Sequence, residues 1–181
     1  MISHEYLNIY EWTDIVHAAK YLSQKIYADF TPDMVVGIPR GGMIFATLLA
    51  EMLRKDLYTI YASRRINDEQ RFCAPVLKEQ PVPDGWENKK ILIVDEIAVT
   101  GKTLAATSEY LRNNGAKAVK TCVIVNRSCG QFSSDYTFAF CSDNANIFPW
   151  DYVVLSPNNE FIVHPEYSEM DKTLGVDLYD E

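Results

Sequence analysis

Ile91-Leu92-Ile93-Val94-Asp95-Glu96-Ile97-Ala98-Val99-Thr100-Gly101-Lys102-Thr103-Leu104 is an apolar run that ends in two adjacent acids and then a Thr-Gly-Lys-Thr turn. Its first four residues are continuously apolar and mostly β-branched, the pattern of a strand buried on both faces of a parallel sheet. Two carboxylates inside such a core would be prohibitively costly. Asp95 and Glu96 are therefore expected to emerge at the strand's carboxyl end. In open α/β sheets the crevice outside the strand ends is where ligands bind, so both acids should face a ligand.

Beyond the turn, Leu104, Ala105, Ala106, Tyr110 and Leu111 recur at helical spacing until Asn114-Gly115. The order is strand, loop, helix. A helix N-terminus offers unpaired N–H groups and the positive end of a dipole, and Gly101 lets backbone approach an anion, so a phosphate is the expected guest. The hydroxyls of Thr100 and Thr103 and the ammonium of Lys102 add donors. A nucleotide triphosphatase P-loop would need glycine at position 96, where this chain has Glu96. An ordinary strand-to-helix turn with a solvated acid pair explains the dipeptide but not the whole pattern.

Upstream, Met34-Val35-Val36-Gly37-Ile38-Pro39-Arg40-Gly41-Gly42-Met43 leads into an apolar stretch reaching Leu53. This is a second strand, glycine loop and helix. Backbone N–H groups of Arg40, Gly41 and Gly42 can cradle an anion, and the Arg40 guanidinium suits phosphate oxygens in a fork geometry. Arg-Gly-Gly alone is weak; two such loops together could bracket the two phosphate ends of one molecule.

The strand, acid pair and Thr-Gly-Lys-Thr resemble the phosphoribosyl diphosphate (PRPP) signature of type I phosphoribosyltransferases, nearest to the xanthine, guanine and hypoxanthine members. The resemblance implies an α/β fold with a parallel central sheet flanked by helices and a small hood. It implies that Asp95 and Glu96 hold the ribose 2′ and 3′ hydroxyls, that Ala98, Val99, Thr100, Gly101, Lys102 and Thr103 wrap the 5′-phosphate, and that Arg40, Gly41 and Gly42 form the pyrophosphate loop. Acceptor-only carboxylates at neighbouring positions suit two adjacent hydroxyls. In 6-oxopurine members the pyrophosphate loop often holds a non-proline cis peptide, which directs attention to the Pro39–Arg40 bond. Mg²⁺ is the implied cofactor, carried mainly by PRPP oxygens with Asp95 or Glu96 as metal-side groups. The catalytic assignment falls on Asp95, Glu96 and Arg40.

On the base side, Arg127 stands where 6-oxopurine enzymes place a lysine that donates to the exocyclic oxygen, and Phe148-Pro149-Trp150-Asp151 resembles their Pro-Trp-acid segment. Phe148 or Trp150 is expected either to stack on a base or to fill the hood core. Asp151 is open between base, metal and a structural cap. Two departures stand out: Val99 occupies the place of the usual aspartate before Thr-Gly, and Glu96 replaces the commoner aspartate. Valine does no proton chemistry, which weakens the 6-oxopurine assignment and keeps two alternatives. One is a PRPP-binding sensor or regulator without turnover; the other is a transferase for adenine, a pyrimidine or an unusual acceptor.

The length of 181 residues, 48% apolar and 23% charged, fits one domain over residues 1–181, in which the resemblance implies a hood mainly from 127–165. Net charge of −8 argues against a nucleic-acid surface. The start Met1-Ile2-Ser3-His4-Glu5 lacks a signal-peptide layout and no stretch approaches a membrane span, so the expectation is a cytoplasmic protein without membrane contact. Cys73, Cys122, Cys129 and Cys141 show no Cys-x-x-Cys spacing, Cys122 sits in an apolar run, and all four are read as buried or bystander thiols. Local cations for an anionic substrate are sought at Arg40, Lys102, Arg64, Arg65 and Arg127.

Periodicity predicts a helix over 12–27, core strands at 34–38, 57–63, 91–94 and 121–126, and helices after Gly42 and Gly101. Residues 67–90, with Pro75, Pro81, Pro83 and Gly85, read as a long loop; the resemblance implies that it is the flexible loop which closes over the reacting centre in type I phosphoribosyltransferases, with Arg71 or Lys78 able to approach departing pyrophosphate. Family members are commonly dimers, so a homodimer or higher homo-oligomer is expected.

Overall fold

The computed structural model describes residues 2–4, 7–63, 65–66, 69–70, 75–79, 82, 85–127, 132–141, 145–165 and 167. In chain order the elements are β1 (Ile2–His4), β2 (Leu7–Ile9), α1 (Trp12–Asp29), β3 (Met34–Gly37), α2 (Gly41–Leu53), β4 (Asp56–Ser63), β5 (Arg65–Ile66), β6 (Glu69–Gln70) and β7 (Val76–Glu79). They continue as β8 (Lys90–Ala98), α3 (Lys102–Asn113), β9 (Ala118–Arg127), β10 (Tyr136–Cys141), β11 (Ala145–Ile147), β12 (Val153–Leu155) and β13 (Phe161–Val163). They fall into two compact units, Thr13–Asp143 and Met1–Trp12 with Asn144–Glu181.

The larger unit is built on a six-stranded sheet in the order β10-β9-β8-β3-β4-β7. All neighbours are parallel except β7, which pairs antiparallel with β4. The all-apolar runs of β3 and β8 lie at its centre because helices cover both faces. Gly37 faces Met43 and Ala46 of α2, where an added Cβ would lie 2.8 Å from the Ala46 Cβ. The alternate residues Met34 and Val36 share a cluster with Leu104 and Leu111 of α3, so α2 and α3 cover opposite faces by the two-residue period of a strand. Helix α1 buries Ile15, Ala18, Ala19, Leu22 and Ile26 at helical spacing.

The parallel central sheet is as expected, with one antiparallel strand at its edge. One expectation needs correction: the stretch 67–90 is not all loop, since Val76–Glu79 forms that edge strand and Trp86 is buried edge-to-face against Tyr58. Proline and glycine around these residues hid both, since a four-residue strand and one anchoring ring leave no periodicity to read. The strand expected at 91–94 instead runs from Lys90 to Ala98. Its partner β9 supplies the reason, because the β8–β9 register continues through Asp95↔Val123 to Ala98↔Asn126.

In the smaller unit β2 pairs antiparallel with β1 and parallel with β11, and β12 pairs with β13. Asn8 and Asn146, opposite each other in register, join side chains in a buried position, the Asn8 Nδ2 donating to the Asn146 Oδ1 at 3.2 Å, which gives each buried amide a partner. The N-terminal strands were not anticipated; three-residue strands carry too little alternation. Among the described residues no helix is long and apolar enough to cross a membrane.

Candidate functional site

The chain runs from β3 to β4 on one side and later resumes at β8 on the other, so the order reverses between β3 and β8. Crevices open at such a switch point. Ile38 donates its N–H to the Val94 carbonyl at 3.0 Å, the last tie between the two strands. There the chain turns away through a cis Pro39–Arg40 bond, the bond singled out from the sequence, and enters α2. Strand β8 stays paired to β9 on its other side. Asp95 and Glu96 thus sit toward the carboxyl end of the strand, as expected, but within a strand that has lost one neighbour and continues to Ala98.

The two glycine loops converge on these acids. A Cβ on Gly42 would lie 2.8 Å from both Cα and Oδ1 of Asp95 and 3.0 Å from the Val94 carbonyl oxygen. One on Gly41 would lie 2.8 Å from Cδ of Glu96 and 2.9–3.0 Å from its carboxyl oxygens. At Gly42 glycine lets α2 begin this close to the Asp95 backbone, and at Gly41 it leaves room for the Glu96 carboxyl. Arg40 stands exposed at the N-cap of α2, whose first turn carries no acidic side chain.

Asp95 Oδ1 accepts the Glu96 N–H at 3.0 Å. Burial, and next the charge of Glu96, push the Asp95 carboxyl well above its ordinary range. Glu96 Oε2 is buried without a hydrogen-bond partner. A pair of crowded carboxyls with unused acceptor capacity fits either donor hydroxyls of a sugar or a hard cation. Both would relieve the repulsion that the protein alone leaves standing.

Next to the acids lies a cavity of about 180 Å³ lined by Asp95 and by every residue from Ile97 to Leu104. Gly101 caps α3 in the left-handed region, φ +68°, and its carbonyl accepts the Ala105 N–H at 2.8 Å. The amides of Lys102, Thr103 and Leu104 precede that first helical bond and remain to serve an anion. No acidic side chain occupies the first turn of α3. Val99 and Thr100 are exposed at the rim.

Arg127, half-buried, ends β9, next to the buried Asn126. Asn126 donates through Nδ2 to the Phe132 carbonyl at 3.1 Å and accepts the Ser134 N–H at 3.3 Å. The Phe132 ring rests against Gly101, overlapping the space any side chain there would need. Neither Asn126 nor Phe132 was singled out from the sequence, where nothing marks a ring that packs on a glycine thirty-one positions earlier.

In the smaller unit Phe148 is 2% exposed and stacked with Tyr10 at 5.2 Å and Trp150 at 5.0 Å. Phe148 is therefore core, which corrects its assignment to substrate. Trp150 is half-buried and also meets Trp12 at 5.8 Å. Asp151 accepts the Phe148 N–H through Oδ1 at 2.9 Å, closing a turn in the structural role left open above. Lys78 lies on β7 and Arg65 on β5; Arg64, Arg71, Cys73, Cys129 and the acidic residues 177–181 lie outside the described residues.

The family profile of the phosphoribosyl transferase domain matches residues 5–157. Among curated proteins, an orotate phosphoribosyltransferase of Sulfolobus acidocaldarius is 33% identical over 100 residues, 55% of this chain and 46% of its own length. The transcriptional regulator GfcR of Archaeoglobus fulgidus is 35% identical over 99 residues, 54% of this chain and 49% of its own. The chain thus spans about half the length of these relatives. A crystal structure of a purine phosphoribosyltransferase from Pyrococcus horikoshii superimposes with a TM-score of 0.69 at 28% identity, covering 80% of this chain and 93% of that one.

Proposed function

We propose that this chain, which belongs to the phosphoribosyl transferase family, moves the 5-phosphoribosyl group from PRPP to a nucleobase nitrogen, with a 6-oxopurine as the favoured acceptor, in nucleotide metabolism and purine salvage. One observation carries the reading: the Arg40-Gly41-Gly42 loop, the Asp95–Glu96 pair and the cavity before α3 meet at one switch point. That spacing suits a sugar with a phosphate at each end.

In the proposed reaction the bond from ribose C1 to pyrophosphate breaks with its electrons leaving on the oxygen, a base nitrogen bonds to C1, and the base N–H proton passes to solvent. Asp95 and Glu96 accept from the ribose hydroxyls, while the amides of residues 102–104 with Thr100, Thr103 and Lys102 hold the 5′-phosphate. Binding energy from that remote end orients C1. Arg40 and the α2 N-terminus stabilise charge growing on the leaving group. Mg²⁺, held chiefly by PRPP oxygens and water with Asp95 or Glu96 as the protein donors, would neutralise further charge on pyrophosphate. Arg127 donates to the exocyclic oxygen of the base. The proposed setting is the cytoplasm, as a homodimer or higher homo-oligomer, with PRPP and a nucleobase as the partners.

A second reading is a PRPP-responsive regulator without turnover, favoured by Val99 and by the similarity to GfcR. Incubation with PRPP, Mg²⁺ and hypoxanthine, guanine, xanthine, adenine, uracil or orotate in turn separates them. Nucleotide from one base, with pyrophosphate released in equal amount, is the expected result. PRPP binding with no product from any base favours the regulator.

A further inference from the structure

We propose that Phe132 is a positioning residue for the phosphate-binding turn, a role that rests on the function proposed above. Gly101 is subject to two separate demands. Its φ of +68° is a conformation that asparagine tolerates as well as glycine. The ring of Phe132 removes that latitude, because it fills the place where any Cβ would go. The ring is itself packed against the core cluster whose members include Ala98 of the strand before the turn and Leu104 and Leu111 of the helix after it.

The backbone behind the ring is fixed by the buried Asn126, which holds the Phe132 carbonyl at 3.1 Å and the Ser134 amide at 3.3 Å. Asn126 precedes Arg127 at the end of β9 and lies opposite Ala98 in register. One buried amide therefore links the end of β9 to the ring, and the ring to the turn whose amides would grip a phosphate. Phe132 touches no ligand in this scheme. It keeps Gly101 left-handed, so that the amides of residues 102–104 point into the cavity before the phosphate arrives, and no ordering is left for the ligand to impose.

The test is a split between the two halves of PRPP, titrated into the full chain with Mg²⁺ by calorimetry: ribose 5-phosphate for the turn, pyrophosphate for the Arg40 loop. Phe132→Ala should weaken ribose 5-phosphate on the order of tenfold, the scale of a small misplacement of binding groups, while pyrophosphate affinity stays unchanged. Phe132→Leu, which keeps apolar bulk, should recover most of the loss. Equal weakening of both ligands would mean general loosening and overturn the proposal, as would an unchanged ribose 5-phosphate affinity. If the alanine variant loses its cooperative melt, Asn126→Ser releases the Phe132 carbonyl with the ring retained, and the same split or its absence decides. A wild-type protein that binds neither ligand overturns the parent reading as well, whereas binding by wild type that Phe132→Ala leaves intact overturns this inference alone.

Discussion

At the scale of single residues, the site is defined by what glycine leaves out and what the carboxylates lack. Gly42 and Gly41 differ in what a methyl group would strike. At Gly42 it meets the Asp95 Cα and the Val94 carbonyl, which are backbone and cannot yield. Gly42→Ala should cost about 1–3 kcal/mol in denaturant unfolding, the usual price of overpacking. At Gly41 it meets only the end of the Glu96 side chain, which can swing aside. Gly41→Ala should unfold within about 1 kcal/mol of wild type yet lose PRPP-dependent turnover as Glu96 is displaced. Asp95 offers a test with a definite sign. Its folded pKa lies above its unfolded value, for burial first and the charge of Glu96 second, so ionising it works against the fold. Below about pH 4, the ordinary carboxylate value, both states keep the proton and Asp95→Asn should match wild type. As pH rises toward neutrality the unfolded chain releases its proton first, and wild type should fall progressively below the variant in thermal unfolding of the ligand-free protein. A constant gap from pH 4 to pH 7 would remove the carboxylate repulsion from the account.

At the scale of elements, the strand and helix ends matter more than their middles. Helix α2 ends on Arg54 in the left-handed region, φ +55°, where the Lys55 amide reaches back to Ala50 and the Arg54 amide to Glu51. A left-handed C-terminal residue is best served by glycine. Arg54 also pairs with Glu51 at 2.9 Å, but both side chains are largely exposed and such pairs contribute little. Arg54→Gly should therefore stabilise the chain by about 0.5–1 kcal/mol in urea unfolding. Trp86 gives the opposite case. It lies in the stretch that reads as a loop, yet it is 6% exposed and belongs to the cluster under α3. Trp86→Ala should cost about 3–5 kcal/mol, a loss no surface loop would produce. The element boundaries explain why these residues escape a linear reading: β8 is longer than its apolar run because β9 carries it onward, and β7 exists because β4 offers it an edge.

For the whole molecule, the net charge of −8 and the local chemistry point in different directions. Under the proposed function an anionic substrate would approach an acidic protein, and the positive ends of α2 and α3 with Arg40 and Lys102 would supply the attraction at short range. The same surplus of acid should keep nucleic acid away. Gel retardation with duplex DNA at about 0.15 M salt, where charge effects fade within roughly 8 Å, should show no shifted band with or without PRPP. A PRPP-dependent shift would move the balance toward the regulator. Elsewhere the larger unit uses charge for structure: Lys120, Asp29 and the Tyr136 hydroxyl are joined between the end of α1 and strands β9 and β10. Burial and the bond to Asp29 push the Tyr136 hydroxyl up to about 12, so this triad keeps its protonation across the neutral range.

What the sequence determined by itself was local and periodic. The apolar runs before Asp95 and Gly37, the helical spacing after Gly42 and Gly101, and the residue types of an anion-binding turn are all legible within about a dozen positions, because strand burial, helix amphipathicity and backbone freedom at glycine act over that range. Those local rules were enough for the parallel core, both glycine loops and the family resemblance. What only the tertiary structure decided was which side of a segment has a neighbour. The pairing of β8 with β9 but not with β3 beyond Val94 set the acids inside a strand, facing α2. Stacking with Tyr10 and Trp150 made Phe148 core. The fit of Phe132 onto Gly101 joins residues far apart in the chain. Contacts of this kind arise from packing of side chains distant in sequence, and no short-range pattern encodes them.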